Sequence, residues 1–276
     1  LHLERQRKAG RLGDMHFDSY EGPTHLRRFL RWIDTFDYGP FPSGAELDRL
    51  VALSAKRDKA ALQALGVAAD GLNLENIGRY NAQDFVFQRA LPTPARNRMT
   101  RFLDFGAGHG RMANLLTAED AAVAYTAVDA TPAFYLGQRD YFRGLGLELN
   151  DCLDDPDGWQ PRFVAGTVDH VPSWRIESLP DGGYDMICAV QVLKELSRDM
   201  LAFALGQFHR LLRPGGALYI RDHIGFHNPN AVDLDQALAR TGFVLEWRSW
   251  AVDRRDCHGV PRIWRKAEDE AVFGRF

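Results

Sequence analysis

The sequence predicts an α/β protein: a mainly parallel sheet of seven strands with an antiparallel last strand, plus an N-terminal helical cap. From residue 100 onward, short apolar runs alternate with helical patterns, which is typical of a parallel sheet with helices on both faces. A glycine-rich turn joins the first apolar run to the next helical pattern. Only a turn-sized gap separates the last two apolar runs, which indicates an antiparallel pair that closes the sheet.

Composition places the chain among globular proteins. Its 276 residues are 45% hydrophobic, enough to bury a core in one large domain or in a domain with an appendage. A net charge of −3 gives no basic field of the kind that holds nucleic acid. No apolar run approaches the ~20 residues that span a bilayer, so we expect neither a nucleic-acid partner nor a membrane partner.

Three cysteines, Cys152, Cys188 and Cys257, lie far apart and form no C-x-x-C pair. They predict neither a disulfide framework nor a cysteine-rich zinc site, and they favour the reducing cytoplasm as the location. A hard cation needs several converging oxygen ligands. Because Asp222 lies near the end of the fifth strand and Asp185 begins the fourth at the opposite edge, we expect no metal site.

Residues 1–95 predict a helical cap, which precedes a sheet-forming region of residues 96–276. In the second helical pattern, Leu47, Leu50 and Val51 recur at helical spacing, as a buried helix face requires. Proline and glycine residues separate the patterns and indicate loops. The predicted helices of the cap span residues 23–36, 43–66 and 77–91.

The sheet-forming region predicts strands and helices in alternation, and its third strand is the most weakly marked. The predicted strands span residues 101–105, 123–129, part of 163–177, 184–190, 217–223, 243–250 and 260–266. The predicted helices span residues 109–118, 132–143, 195–212 and 231–241.

The glycine turn carries Gly106, Gly108 and Gly110 directly after the first strand. Glycines adopt positive φ and let a ligand approach the backbone closely, and ligands of open parallel sheets bind at this edge. A dinucleotide-binding turn has the spacing G-x-G-x-x-G, whereas here Arg111 occupies the place of the third glycine. No G-K-[ST] follows, so a phosphate loop and a nicotinamide oxidoreductase are both disfavoured. The alternative for these glycines is a tight structural turn without a ligand.

Two acids border this turn. Asp104 lies two residues before the first glycine, and Asp129 ends the second strand. A carboxylate at the second position accepts hydrogen bonds from both ribose hydroxyls of a nucleoside. A cationic nucleoside without phosphates tolerates acidic surroundings better than a pyrophosphate does. The alternative for Asp129 is a cap on the helix that follows.

Four motifs resemble those of the class I, Rossmann-like S-adenosylmethionine-dependent methyltransferases of small-molecule type. They are LDFGAGHGR, AVDATPAF, LPDGGYDMICAVQVLKEL and FHRLLRPGGALYIRDH, in this order. The resemblance covers about residues 100–266 and implies S-adenosylmethionine as cofactor and S-adenosylhomocysteine as product. It implies that Asp129 binds the ribose, with Ala130 against the adenine, and that Val190 and Gln191 pass under the sulfonium. The residues that it implies for the methionine end and the turn are Asp104, Gly106, Ala107, Gly108 and His109.

The adenine edge departs from the family pattern. Family members often carry an Asp-Ala pair after the third strand, where this sequence reads WRIESLP. Glu177 is the acid in that segment. In the helical cap, Arg79 and Tyr80 are candidates to reach the methionine carboxylate or the substrate.

Two histidines are candidates for chemistry near the fifth strand. His223 ends this strand, and His227 lies in the next loop. Histidine is well suited to accept a proton near neutral pH, so both are candidate catalytic residues. The alternative is that His223 only hydrogen-bonds the substrate or a loop.

The expected activity is methyl transfer to a small-molecule hydroxyl, of a sugar or a natural product. The helical cap implies an enclosed, modest-sized substrate. The Asn-Pro-Pro-Tyr motif of amide and exocyclic-amine methylases is replaced by AVQVLKEL, which disfavours nucleic-acid bases. Transfer to nitrogen or carbon, and a noncatalytic protein that binds the cofactor, remain alternatives. The oligomeric state stays open, with a homodimer as one option.

Overall fold

The computed structural model describes residues 19–34, 43–91, 99–222, 232–249 and 259–267. The helices of these segments are α1 (Pro23–Ile33), α2 (Ala45–Ala64), α3 (Leu74–Gln88), α4 (Met112–Glu119), α5 (Pro132–Gly144), α6 (Arg198–Leu211) and α7 (Leu234–Arg240). The strands are β1 (Arg101–Phe105), β2 (Ala124–Asp129), β3 (Glu148–Asp151), β4 (Thr167–Pro172), β5 (Tyr184–Val190), β6 (Leu212–Asp222), β7 (Phe243–Arg248) and β8 (Val260–Lys266).

All eight strands form one sheet in the order β3-β4-β2-β1-β5-β6-β8-β7. The first six in this order run parallel, and β8 lies antiparallel between β6 and β7. The predicted α/β class, the mainly parallel sheet and the antiparallel last strand are therefore confirmed.

The predicted number of strands was one too few. The additional strand, β3, has the sequence ELND and pairs only with β4 at the edge of the sheet. It is four residues long and largely polar, so it lacks the apolar run by which the other strands were identified.

Helices cover the sheet on both sides. The face covered by α1 to α5 is named the cap-side face, and α6 and α7 cover the opposite face. The apolar core of the cap-side face joins cap and sheet residues, among them Leu30, Leu50, Ile77, Phe102, Tyr125, Phe142 and Tyr219. The core of the opposite face includes Leu103, Ile187, Phe208, Leu218 and Leu238.

Two glycines allow α2 to approach its neighbours at backbone distance. A Cβ on Gly78 of α3 would lie 2.7 Å from the carbonyl oxygen of Val51, and one on Gly144 of α5 would lie 2.8 Å from that of Ala61. The α3 helix also contacts α4 and β8, so the cap packs directly against the sheet-forming region. Among the described helices, none has the length and apolar character to cross a membrane.

Candidate functional site

The glycine turn follows β1 and folds over the end of β2. The backbone N–H groups of Gly106 and Ala107 both donate to the Val128 carbonyl, at 2.8 and 3.3 Å. The φ angles of Gly106 and Gly108 are 70° and 59°, in the left-handed region that glycine adopts without strain. A Cβ on Gly106 would lie 2.5 Å from Val192, whereas one on Gly108 would meet nothing within 4 Å. Packing therefore requires glycine at residue 106, whereas no described atom crowds the Cα of Gly108.

The Asp129 carboxylate is buried against the backbone of this turn. Its Oδ2 accepts from the Gly108 N–H at 2.9 Å and from Gln138 Nε2 at 3.3 Å, and its Oδ1 accepts from the Thr131 N–H at 2.9 Å. Burial raises the pKa of Asp129 to about 6. The Thr131 bond joins residues two apart and is that of an Asx turn. The N-cap residue of α5 is Thr131, and no described side chain caps this helix, so the alternative role of Asp129 as a helix cap is not what the structure shows.

Asp104 and His109 lie on the cap-side face next to the turn. Asp104 accepts a hydrogen bond from the Tyr125 hydroxyl at 2.6 Å, and burial raises its pKa to about 6. His109 is packed between the rings of Phe29 and Tyr141, at centroid distances of 5.2 and 5.3 Å. Burial lowers the pKa of His109 to about 3, so it is neutral near pH 7 and fixes α1 beside the turn.

A second group of buried charges lies where α3 crosses the sheet. Arg111, at the start of α4, donates to Asp84 of α3 at 2.5 Å, and Arg221 of β6 lies 3.4 Å from the other oxygen of Asp84. The Tyr219 hydroxyl donates to the same carboxylate. Although burial works against the charged form, the two arginines hold the pKa of Asp84 below its usual value. Two buried cations thus share one buried carboxylate.

Two further residues complete this group. The Arg111 guanidinium lies 3.8 Å from the centroid of the Tyr80 ring, and Arg221 donates to Gln83 Oε1 at 2.5 Å. Arg111 Nη1 and Gln83 Nε2 are buried donors without a hydrogen-bond partner among the described residues. The arginine cluster is defined as Tyr80, Gln83, Asp84, Arg111, Tyr219 and Arg221.

The carboxyl ends of β5 and β6 form the third side of the site. Gln191 has a φ of 63°, which costs about 1 to 3 kcal/mol in a residue other than glycine. Its backbone N–H donates to the Arg221 carbonyl at 3.0 Å, and Lys194 Nζ bonds its side chain. Asp222 accepts from the Leu193 N–H at 3.0 Å, and burial raises its pKa to about 6. These contacts hold the end of β5 beside the glycine turn.

The sequence-predicted residues fall into three sets. The structure brings together Asp104, Gly106, Ala107, Gly108, Asp129, Val190 and Gln191 at the carboxyl edge of the sheet, with His109 and Tyr80 buried beside it. It places Ala130 and Glu177 on the exposed surface, the latter in the 3₁₀ helix Ser173–Ser178. It places Arg79 on the outer side of α3, where it pairs with Glu75 at 2.7 Å. His223 and His227 lie outside the described residues.

Sequence reasoning did not identify Gln83, Asp84 or Arg221, because their partners are 27 to 138 residues away. One signal was available, since Arg111 occupies the place of a fingerprint glycine. Within the described segments, no three His, Cys, Asp or Glu side chains are grouped so as to hold a metal ion.

Comparison with known proteins gives one family. A family described as "Methyltransferase domain" matches residues 74–265, more than half of the chain. No curated protein matches the sequence.

Solved structures align with the chain at low identity. An arsenic(III) S-adenosylmethionine methyltransferase from Chlamydomonas reinhardtii shares 17% identity over 70% of this chain and 75% of its own, with a TM-score of 0.40. An S-adenosylmethionine-dependent methyltransferase from Methanosarcina mazei shares 13% identity over 65% and 99% of the two chains, with a TM-score of 0.46. The YcgJ protein from Bacillus subtilis shares 16% identity over 67% and 97%, with a TM-score of 0.45.

Proposed function

This chain belongs to the methyltransferase-domain family, and we propose that it methylates a hydroxyl oxygen of a small molecule. Family membership confirms the predicted cofactor, S-adenosylmethionine, and the predicted class of enzyme. The acceptor and the oxygen atom are our proposal. The observation that supports the cofactor site is the buried Asp129 carboxylate, which binds the backbone of the glycine turn at Gly108. The choice of a small-molecule hydroxyl is supported by the helices packed over the sheet and by the two histidines that follow β6 in the sequence.

The residues present fit this cofactor along its length. Gly108, Gln138 and Thr131 take three of the about four acceptor sites of the Asp129 carboxylate, so one ribose hydroxyl can bind at the fourth site and a second by replacing one of these donors. The arginine cluster offers two unpartnered donors, Arg111 Nη1 and Gln83 Nε2, which suit the methionine carboxylate. Buried donors favour an acceptor because leaving them unpaired is costly. We propose that Asp129 holds the ribose and the arginine cluster holds the carboxylate.

When bound, the cofactor supplies a methyl group on a positively charged sulfur. The chain then has to align the acceptor and exclude water from it. Asp104 and Asp222 add negative charge near this edge, and the aromatic rings of Phe29 and Phe134, 4.7 Å apart, cover the turn from α1 and α5. We propose that residues 1–95 cover an enclosed small-molecule site over the cofactor-binding region of residues 96–276.

A hydroxyl acceptor loses its proton as its oxygen is methylated, and this proton needs a base at the same edge. We propose His223 or His227 for this role, because His223 directly follows Asp222, the last residue of β6, and His227 comes four residues later in the sequence. A base of this kind accelerates proton removal by about 10²- to 10⁴-fold. An amine acceptor needs no such help.

Calorimetric titration with S-adenosylhomocysteine tests the cofactor site. We expect binding by the wild type and a Kd raised about tenfold to a hundredfold in Asp129→Ala, because hydrogen bonds to a charged group are lost. Asp181→Ala is the matched control, since Asp181 is an exposed acid paired with Arg210 far from the turn. An unchanged Kd in Asp129→Ala contradicts the proposed site.

Mass-spectrometric detection of methyl transfer tests the reaction. Hydroxyl, amine and carbon acceptors are compared with wild type and His223→Ala. Transfer to a hydroxyl that falls at least a hundredfold in the variant supports the proposal. Transfer to an amine at an unchanged rate supports nitrogen methylation instead, and tight cofactor binding without transfer to any acceptor indicates a noncatalytic protein.

A further inference from the structure

We propose that His170, held as an imidazolium by Asp151, positions the carboxylate of Asp129 and the glycine turn through Gln138. The proposal deepens the proposed function and rests on it, because Asp129 matters here as the ribose-binding residue. His170 and Gln138 are positioning residues, since they act on the cofactor through Asp129 and Gly108. Strand β3, which the sequence did not predict, supplies Asp151.

The four side chains form an unbroken hydrogen-bonded chain on the cap-side face. Asp151 Oδ2 lies 3.0 Å from His170 Nδ1, and His170 Nε2 lies 2.9 Å from Gln138 Oε1. Gln138 Nε2 lies 2.7 Å from the Gly108 carbonyl oxygen and 3.3 Å from Asp129 Oδ2. All four side chains are buried, so water does not compete for these bonds.

The positions of the hydrogens in this hydrogen-bonded series follow from its last member, the Gly108 carbonyl. A carbonyl oxygen only accepts hydrogen bonds, so the Gln138 atom facing Gly108 must be the amide nitrogen. A flipped amide would place two acceptor oxygens 2.7 Å apart. Gln138 Oε1 therefore faces His170, and His170 Nε2 must carry a hydrogen.

The other ring nitrogen faces an ionised carboxylate. Asp151 Oδ1 accepts from the Tyr135 hydroxyl at 2.6 Å and from the Leu153 N–H at 2.9 Å. Arg139 Nε lies 3.2 Å from Oδ2. Burial works to raise the pKa of Asp151, but hydrogen bonds from His170 and Tyr135 hold it at about 2. Donors from Tyr135, Leu153 and Arg139 face both oxygens of this carboxylate, so it has no proton of its own to donate. His170 Nδ1 must therefore also carry a hydrogen, which makes the ring an imidazolium.

Burial is the largest effect on His170 and lowers the pKa of the imidazole below its ordinary value, although the hydrogen bond and the charge of Asp151 oppose it. The charges of Arg139 and Asp154 add smaller effects of opposite sign. The neighbouring rings of Tyr135 and Phe142 carry no charge near neutral pH. The donor and acceptor pattern decides the outcome, since a neutral ring would leave a lone pair 3.0 Å from a carboxylate.

The consequence is a pH dependence of cofactor binding. As the pH rises through the pKa of His170 in the folded protein, Nδ1 loses its hydrogen and Asp151 repels the ring. Gln138 then loses its fixed position, and Asp129 and the Gly108 carbonyl lose their common donor. The affinity for S-adenosylhomocysteine should therefore fall on the alkaline side.

Nitrogen-15 NMR of histidine-labelled wild-type protein tests the assignment without any substitution. At pH 7 we expect both ring nitrogens of His170 to have the chemical shifts of an imidazolium. In Asp151→Asn we expect a neutral ring that keeps its hydrogen on Nε2. A neutral His170 in the wild type at pH 7 overturns the proposal.

Calorimetric titration with S-adenosylhomocysteine tests the positioning role. We expect Gln138→Met to raise the Kd about tenfold and Asp151→Asn to abolish the loss of affinity on the alkaline side. The matched control is Asp169→Asn, the neighbour of His170 on β4, whose carboxylate bonds Asn150 on the opposite face. This control should lower the Tm without changing the Kd.

The outcomes separate this proposal from the proposed function. If the wild type does not bind S-adenosylhomocysteine, the proposed function fails and this inference fails with it. If the wild type binds and the Kd of Gln138→Met matches that of Asp169→Asn, only this inference fails.

Discussion

The two ends of the candidate cofactor site are built on opposite principles. At the Asp129 end, one carboxylate accepts three N–H groups from the backbone and a side chain, which leaves about one of its acceptor sites. At the arginine cluster, Arg111 and Arg221 share Asp84, and donors are left over. Buried charges are tolerated when they are paired. The leftover acceptor site at Asp129 therefore favours a ligand hydroxyl, and the leftover donors of the arginine cluster favour a ligand acid. The difference supports the proposal that the site binds a ligand with a hydroxyl group at one end and an acid at the other.

The strongest test of this contrast removes the shared carboxylate of the arginine cluster. Asp84→Asn leaves two buried guanidinium groups without their counter-ion, and we expect the free energy of unfolding to fall by about 3 to 5 kcal/mol. Urea denaturation measures the change. Glu75→Gln is the matched control on the same helix, because its ion pair with Arg79 is exposed and such pairs contribute little. Equal effects of the two substitutions would contradict a buried, coupled cluster.

Comparing two ligands separates the two ends. S-adenosylhomocysteine carries an amino-acid group, whereas 5′-methylthioadenosine lacks it. We expect the wild type to bind the first about tenfold to a hundredfold more tightly, as lost charge-assisted hydrogen bonds predict. Arg111→Lys should reduce this ratio, and Asp129→Ala should weaken both ligands while preserving it. A ratio near one in the wild type would remove the arginine cluster from the cofactor site.

The pH dependence of cofactor binding tests the Asp129 end of the site. Since burial raises the pKa of Asp129 to about 6, lowering the pH below 6 protonates the carboxylate that we propose binds the ribose. We expect the affinity for S-adenosylhomocysteine to fall there by up to about tenfold per pH unit, and Asp129→Asn to remove this acid limb. The stability of the unliganded protein should move the other way. A folded-state pKa above the unfolded value of 3.8 stabilises the fold at low pH, and this contribution is lost as the pH rises through about 6.

The smallest expected effect concerns Arg79, which the sequence offered as a candidate to reach the methionine carboxylate or the substrate. Arg79 lies on the outer side of α3 and pairs with exposed Glu75, one position before Tyr80 of the arginine cluster. We expect Arg79→Ala to leave the Kd of S-adenosylhomocysteine within about twofold and the free energy of unfolding within about 0.5 kcal/mol. A Kd raised tenfold in this variant would shift the carboxylate site to the outer side of α3.

The sequence predicted one end of the site far better than the other, for a physical reason. The glycine turn and Asp129 follow consecutive strands of a parallel sheet, and strand ends meet at one edge. The chain order alone therefore places them together. The arginine cluster depends on which face of α3 meets the sheet, and Arg221 finds Gln83 across 138 residues. Helical periodicity located α3 but did not reveal its partners on the sheet.

Strand β3 was not predicted from the sequence for the same reason. The apolar runs of β1, β2 and β5 are buried on both faces and are readily identified. Strand β3 pairs on one side only, and its ELND sequence includes Asp151, which bonds His170. Its polar residues contact β4 and α5, and a short sequence pattern does not predict contacts with distant residues.

Strand β8 has a consequence for how the chain is completed. It inserts between β6 and β7, and six of its residues pair with β6 along the strand that carries Arg221. On a ribosome, β6 would emerge some forty residues before this neighbour and would present a free hydrogen-bonding edge in the meantime. The arginine cluster could therefore form on a complete sheet only after β8 has been synthesised.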